Sequence, residues 1–358
     1  MSTSVNGAFD GLTMLRRIWW LCLQRWRSEG VFDATRGLFA ALRCVRHFHA
    51  LNRLFSQGLF AQHVLQKPRS DPLFMVSHKY FLSRGLSMAQ RIECADSHFR
   101  FETAYARASY HAAIRDSSGL TLWRAQAAGI DYSILLHHAD DLPQEGLTSI
   151  SLVAGGNVLH VIALTWVPEQ LLRPRADAAA WLMFISRSQS AHQDLAGVAD
   201  FRTAFPQNAP SYFCMAAALG VAAAHAQTRI VGIDGKMQVA FEPRLAAGFR
   251  RSYGDFWHSY GGVADSWQGH VIPVPAQLPA LTAIPSKHRS RARARRAHWT
   301  AITQSSNDAL RPHLVPADSR PFLSARPPSS SSMPQQVLMR SLPSTILSLL
   351  TYLPAGVI

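Results

Sequence analysis

The stretch Leu147-Thr148-Ser149-Ile150-Ser151-Leu152-Val153-Ala154-Gly155-Gly156-Asn157-Val158-Leu159-His160-Val161-Ile162-Ala163-Leu164-Thr165-Trp166 decides how this chain folds. Two apolar runs, Leu147 to Val153 and Val158 to Trp166, flank a glycine pair, and that pattern predicts a β-hairpin. Working outward, the stretches around Leu122 and from Tyr132 to Leu136 are short and β-rich. On the other side Ala180 to Ile185 reads as a buried strand and a long polar segment follows. Pro210 to Ala226 is then an Ala-rich helix with proline at its start, and Arg229 to Ile233 closes as a strand. The centre is therefore a mixed sheet with helices packed on it, in an α+β chain.

Helices precede this sheet. Residues 11 to 65 carry Leu12, Leu15, Trp19, Cys22, Leu23 and Trp26 at three- and four-residue steps, with Arg16, Arg17, Arg25 and Arg27 between them. This is a basic amphipathic helix, suited to a head-group boundary or to a terminal helix on the core. A second helical block runs from Ser83 to Tyr110, with Ser87 and Gln90 at capping-box spacing. Beyond Ile302 prolines and the run Ser329 to Ser332 accumulate. The chain divides by composition into a helical extension (1–80), an α/β domain (81–302) and a Pro/Ser-rich disordered tail (303–358).

The chain has 358 residues, 48% of them hydrophobic and 16% charged, enough for a sizeable core. Lys and Arg number 36 against 22 Asp and Glu, a formal charge of +14, which attracts anionic lipid, nucleic acid or acidic partners. Cys22, Cys44, Cys94 and Cys214 are scattered and form no zinc-type cluster, so they read as reduced thiols and no metal is predicted. The first apolar run, Leu12 to Leu23, is interrupted by Arg16 and Arg17 and lacks a leader's basic start, and no segment reaches roughly 18 uninterrupted apolar residues. The expectation is a cytoplasmic chain, peripheral to the inner membrane.

Three places then carry a resemblance. Gln90-Arg91 followed by His98-Phe99 closes a helical segment. Glu145-Gly146-Leu147 leads into the hairpin. Tyr253-Gly254-Asp255-Phe256-Trp257 with Gly261-Gly262 is followed by Pro273, by Ile284-Pro285-Ser286-Lys287-His288-Arg289 and by Arg295-Arg296. From about Tyr80 to Ile302 this order resembles the VirK/YbjX family of bacterial virulence and cell-envelope proteins. The resemblance implies an accessory role in envelope maintenance or virulence-factor export. The chain departs from the family at Ile185 to Ser190, where glycines are expected and only Gln189 is kept, and at Gln207-Asn208-Ala209-Pro210, where only Pro210 carries over.

Two kinds of chemistry follow. Lys287, Arg289, Arg291, Arg293, Arg295 and Arg296 place six cations within ten residues, a polyanion-binding run with anionic lipid or envelope phosphate ahead of nucleic acid. The alternative starts from the order hairpin, strand, polar loop, helix and strand, which is similar to the core of acetyltransferase-like folds. On that reading Gln189, Ser190 and Ser211 at the helix start cradle an acyl-CoA pyrophosphate, in an N- or O-acyltransferase. Glu145 and Asp255 are then the carboxylates available as general base, and His98 a further catalytic candidate. Each has a structural counterpart: a turn residue, a partner for Arg250-Arg251 and a core histidine.

Overall fold

The computed structural model describes residues 46–63, 80–116, 118–139, 145–172, 181–190, 195–265 and 269–319. The basic helix expected over Leu12 to Trp26, Cys22, Cys44 and positions from 320 onward lie outside the described residues. Eight strands form one sheet: β1 (Leu120–Ala127), β2 (Ile130–His138), β3 (Thr148–Ala154), β4 (Asn157–Pro168), β5 (Trp181–Ser190), β6 (Arg229–Ile233), β7 (Val263–Ala264) and β8 (Gly269–Pro273). Their order is β1-β2-β3-β4-β5-β6-β8-β7. Every neighbouring pair is antiparallel except β5 and β6, so the sheet is mixed, as the sequence predicts.

The hairpin closes at Ala154↔Asn157, with Gly155 and Gly156 at φ +54° and +88°. Two successive positive φ values twist the turn in the sense the strands need, and glycine adopts them without steric cost. Pairing continues outward, so Tyr132, Ile134 and Leu136 share a face with Ala154, Leu152 and Ile150.

The helices are α1 (Phe48–Phe55), α2 (Gly58–His63), α3 (Met88–Tyr105), α4 (Ala108–Arg115), α5 (Glu169–Leu172), α6 (Leu195–Ala204), α7 (Pro210–Ala224), α8 (Ala246–Phe249), α9 (Phe256–His258) and α10 (Ser286–Leu310). The long ones gather on that one sheet face. Phe201 of α6 and Phe205 just beyond its end pack on Tyr132, Glu102 of α3 meets Thr148, and Cys214 of α7 reaches the His160 carbonyl. The predicted capping box starts α3: Ser87 Oγ accepts from the Gln90 N–H and Gln90 Oε1 accepts from the Ser87 N–H. α7 is apolar all round because the sheet lies beneath it and α10 beside it, where a Cβ on Gly220 would stand 2.7 Å from Ser306 Cβ.

Two elements run further than the sequence predicts. β5 does not end at Ile185 but continues to Ser190, so Gln189 and Ser190 belong to a strand and not to a loop. α10 runs through position 302 to Leu310, with Ile302, Ser306, Asn307 and Leu310 buried. Proline does not recur before Pro312, and the apolar spacing of Ile302 and Leu310 keeps the helix on the core. No helix among the described residues is long and apolar enough to cross a membrane.

Candidate functional site

β5 and β6 pair only at Phe184↔Val231 and Ile185↔Gly232 and then part. Immediately beyond the last pair β5 carries an extra residue, since Leu164 faces Ile185 but Ala163 faces Arg187, leaving Ser186 as a bulge. A bulge re-aims the side chains that follow it; here Arg187 comes to the face of Ala163. The Glu145-Gly146 turn crosses the same face. A Cβ on Gly146 would lie 2.8 Å from Ala163 Cβ and 3.0 Å from Leu164 N, so a side chain there would push the turn off the sheet.

That close approach delivers Glu145. Its carbonyl accepts from Ser186 Oγ, its Oε2 pairs with Arg187 Nη1, and its Oε1 accepts from Gln238 Nε2 at 2.6 Å. Gln238 is fully buried on a loop that Arg84 fastens, its guanidinium donating to the carbonyls of Gln238, Val239 and Phe241. Carboxylate, guanidinium and amide are thus drawn from three separate segments onto one point of the sheet.

Tyr253 reaches the same point from elsewhere. It lies in a π-helical turn, Arg250–Asp255, between α8 and α9. Such turns insert a residue into a helix and recur at functional sites. The phenol oxygen accepts from Gln189 Nε2 at 3.2 Å. Burial raises the Tyr253 pKa, while Gln189, Ser188 and the Arg187 cation pull the other way. Burial also lowers the Arg187 pKa.

Of the residues singled out from sequence, Glu145 and Gln189 are therefore brought into one cluster. Ser190 ends β5 exposed, with its Oγ 3.3 Å from His160 Nδ1, while His160 Nε2 lies 3.0 Å from Ser188 Oγ. Burial pushes His160 down to about 3, so it stays neutral. Ser211 is the second residue of α7, whose start at Ala209 has no side-chain cap. Asp255 is exposed, 4.0 Å from Arg250, and does not join the cluster.

His98 sits apart, wholly buried. Its Nδ1 accepts the Trp166 N–H, which lies past the last β3–β4 pair, and its Nε2 faces Glu102 Oε1 at 3.4 Å. Burial raises Glu102 to about 7, against hydrogen bonds from Tyr110 and Thr148. Arg187, Gln238 and the role of Tyr253 were not foreseen. The one sequence signal was that Arg187 stands where glycine was expected.

The six predicted cations lie on the first half of α10. α10 runs parallel to α7, since Trp299 stacks on Tyr212 at 4.9 Å and Thr303 Oγ1 donates to the Ala216 carbonyl. Residues 286–296 thus overhang the start of α7 by roughly 16 Å at 1.5 Å per residue. Every residue from Ser286 to Arg291 is exposed. No Asp or Glu occurs between Asp265 and Asp308, and among the described residues none of the six cations makes an ion pair. Arg289 and Arg296 instead donate to the carbonyls of Ile284, Thr282 and Pro279.

No curated protein and no solved structure matches the chain. The model of a family described as "Protein of unknown function (DUF535)" matches residues 34–175 and 208–308, which take in Glu145, Tyr253 and the basic half of α10 but not Arg187 or Gln189. With the Glu-Gly turn, the aromatic π-turn and the basic helix all inside the matched stretches, the chain belongs to this family, the VirK/YbjX family.

Proposed function

We propose that the protein is an accessory of bacterial envelope maintenance or virulence-factor export that docks on anionic lipid through the first half of α10. One observation carries this reading: six cations on one overhanging helical segment, Lys287, Arg289, Arg291 and Arg293 exposed and Arg295 and Arg296 half-buried, with no acidic counterpart among the described residues. Cations near a helix N-terminus oppose the macrodipole, and Lys287, Arg291 and Arg295 repel at i,i+4 spacing. An array that costs folding stability fits a partner that supplies the missing negative charge. Each such side chain contributes about 1 kcal/mol at an anionic membrane surface, and salt screens the attraction.

Co-sedimentation with vesicles tests it. Binding to phosphatidylglycerol-containing vesicles, absent with pure phosphatidylcholine and falling steeply with salt, is the expected result. Glutamine at all six positions should abolish it. Equal binding by the glutamine variant ends the docking reading.

A second reading is acyl-CoA-dependent transfer, favoured by the parting of a parallel strand pair where Glu145 and Tyr253 converge. Of the sequence candidates for the cofactor, Gln189 lies at that point, whereas Ser190 faces His160 on the other side of β5 and Ser211 lies at the start of α7. The ion pair of Glu145 with Arg187 makes the carboxylate a weak base, which ranks this reading second. Thermal shift with coenzyme A and acetyl-CoA discriminates: saturable stabilisation supports transfer, and no shift of a folded sample removes it.

A further inference from the structure

We propose that Arg187 anchors an oxyanion-binding site, receiving a carboxylate or phosphate group on the Nε/Nη2 edge of its guanidinium, with the Tyr253 hydroxyl as second donor. The proposal rests on reading this cluster as a site; it requires neither acyl transfer nor lipid docking.

A guanidinium presents five N–H donors in a fixed fork. In Arg187 only Nη1 is engaged, by Glu145 Oε2, while Nε is buried and makes no hydrogen bond to a described residue. Buried charged donors are ordinarily paired, and one that is not calls for an explanation. The side chain keeps 19% of its surface exposed although Nε itself is covered, so an anion approaches from the exposed side of the guanidinium and has to displace what covers Nε. Tyr253 adds to the imbalance. Its oxygen already receives Gln189 Nε2, so its own hydrogen is left to donate.

Donors therefore exceed acceptors. The one carboxylate of the cluster, Glu145, is already shared between Arg187 and Gln238. A ligand that balances this set brings oxygen acceptors and negative charge, and the planar fork suits the paired oxygens of a carboxylate or phosphate. Both donors are also placed by departures from regular backbone, a bulge in β5 and a π-turn, that converge on one point. Regular pairing and regular helix would direct neither side chain there.

The test follows the Arg Nε–Hε signals of the full chain by NMR during titration with inorganic phosphate, acetate or a water-soluble short-chain phosphatidylglycerol. R187K identifies the Arg187 signal. At least one anion is expected to shift it saturably, and which one does so identifies the source of the oxyanion. Affinity, followed by calorimetry, should fall about tenfold or more in R187K, which keeps the charge but loses the fork, and severalfold in Y253F. Both effects should persist when the six α10 cations are replaced by glutamine. Failure of all three anions to shift the signal overturns the proposal, as does unchanged affinity in R187K. Loss of binding in the six-glutamine variant also overturns it, because the anion then sits on the helix, and lipid docking still stands. If R187K does not fold, triple-resonance assignment identifies the Arg187 signal instead, and the wild-type titration and Y253F decide.

Discussion

At Glu102 a carboxyl group is buried between α3 and β3, beside His98, Thr148 and Tyr110, and burial lifts its pKa to about 7. Between the unfolded value of 4.5 and about 7 the native state holds a proton that the unfolded chain has released, so stability falls as pH rises through that window. His111 and His160 act in the opposite sense. Burial lowers them to about 4 and about 3, so below about 6.5 the unfolded chain gains protons that the native state refuses, and stability falls as pH drops. Glu102→Gln isolates the first effect: relative to wild type it should gain about 3 kcal/mol between pH 4.5 and pH 8. Urea unfolding at the two pH values measures this, and an equal difference at both would refute it. Gly232 shows a steric constraint of the same local kind. A Cβ there would lie 2.5 Å from Trp257 Cε2, and the indole is fixed by its hydrogen bond to the Ile233 carbonyl. Gly232→Ala should lower the unfolding free energy by about 1–3 kcal/mol, whereas an unchanged denaturant midpoint would show that the indole can move. Neither Glu102 nor Gly232 stood out in the sequence, because what makes each matter lies on another element.

Among the elements, the β3–β4 hairpin and the start of α3 were fully legible because their determinants are local: a glycine pair between apolar runs, and Ser87 three residues before Gln90. The outer half of β5 was not. Arg187 and Gln189 look like loop residues, yet their polar groups are met by Glu145 and Tyr253, which are 42 and 64 positions away. α10 shows a conflict between stability and proposed function that can be measured. Arg291 lies four residues from both Lys287 and Arg295 and is exposed. Arg291→Glu replaces two like-charge contacts with two attractive ones, so stability should rise by about 0.5–1 kcal/mol while affinity for anionic vesicles falls. Thermal unfolding and co-sedimentation of the same variant check both arms, and a parallel rise in the two would contradict the docking reading.

Over the whole molecule, the second half of α10 ties the chain's described C-terminal end to its centre. Ser305 Oγ donates to the Leu122 carbonyl on β1, Thr303 Oγ1 to Ala216 on α7, and the Leu314 bridge meets Ala106. Ending the chain after Ile302 should therefore abolish cooperative unfolding, while ending it after Ser319 removes none of these contacts. Circular dichroism melts of the two truncations test this, and a cooperative melt for the shorter chain would count against the packing described.

By itself the sequence determined the mixed sheet, the hairpin, the Ala-rich helix and the basic run, because hydrophobic periodicity, glycine pairs and charge density act over a few residues. It also singled out Glu145 and Gln189 as candidates. Only the tertiary structure decided that they share a cluster with Arg187, Gln238 and Tyr253, and that Asp255 and His98 do not. The physical reason is that the cluster depends on a bulge, a π-turn and the parting of two parallel strands. Each of these is settled by how distant segments satisfy one another's hydrogen bonds, and no spacing along the chain encodes it.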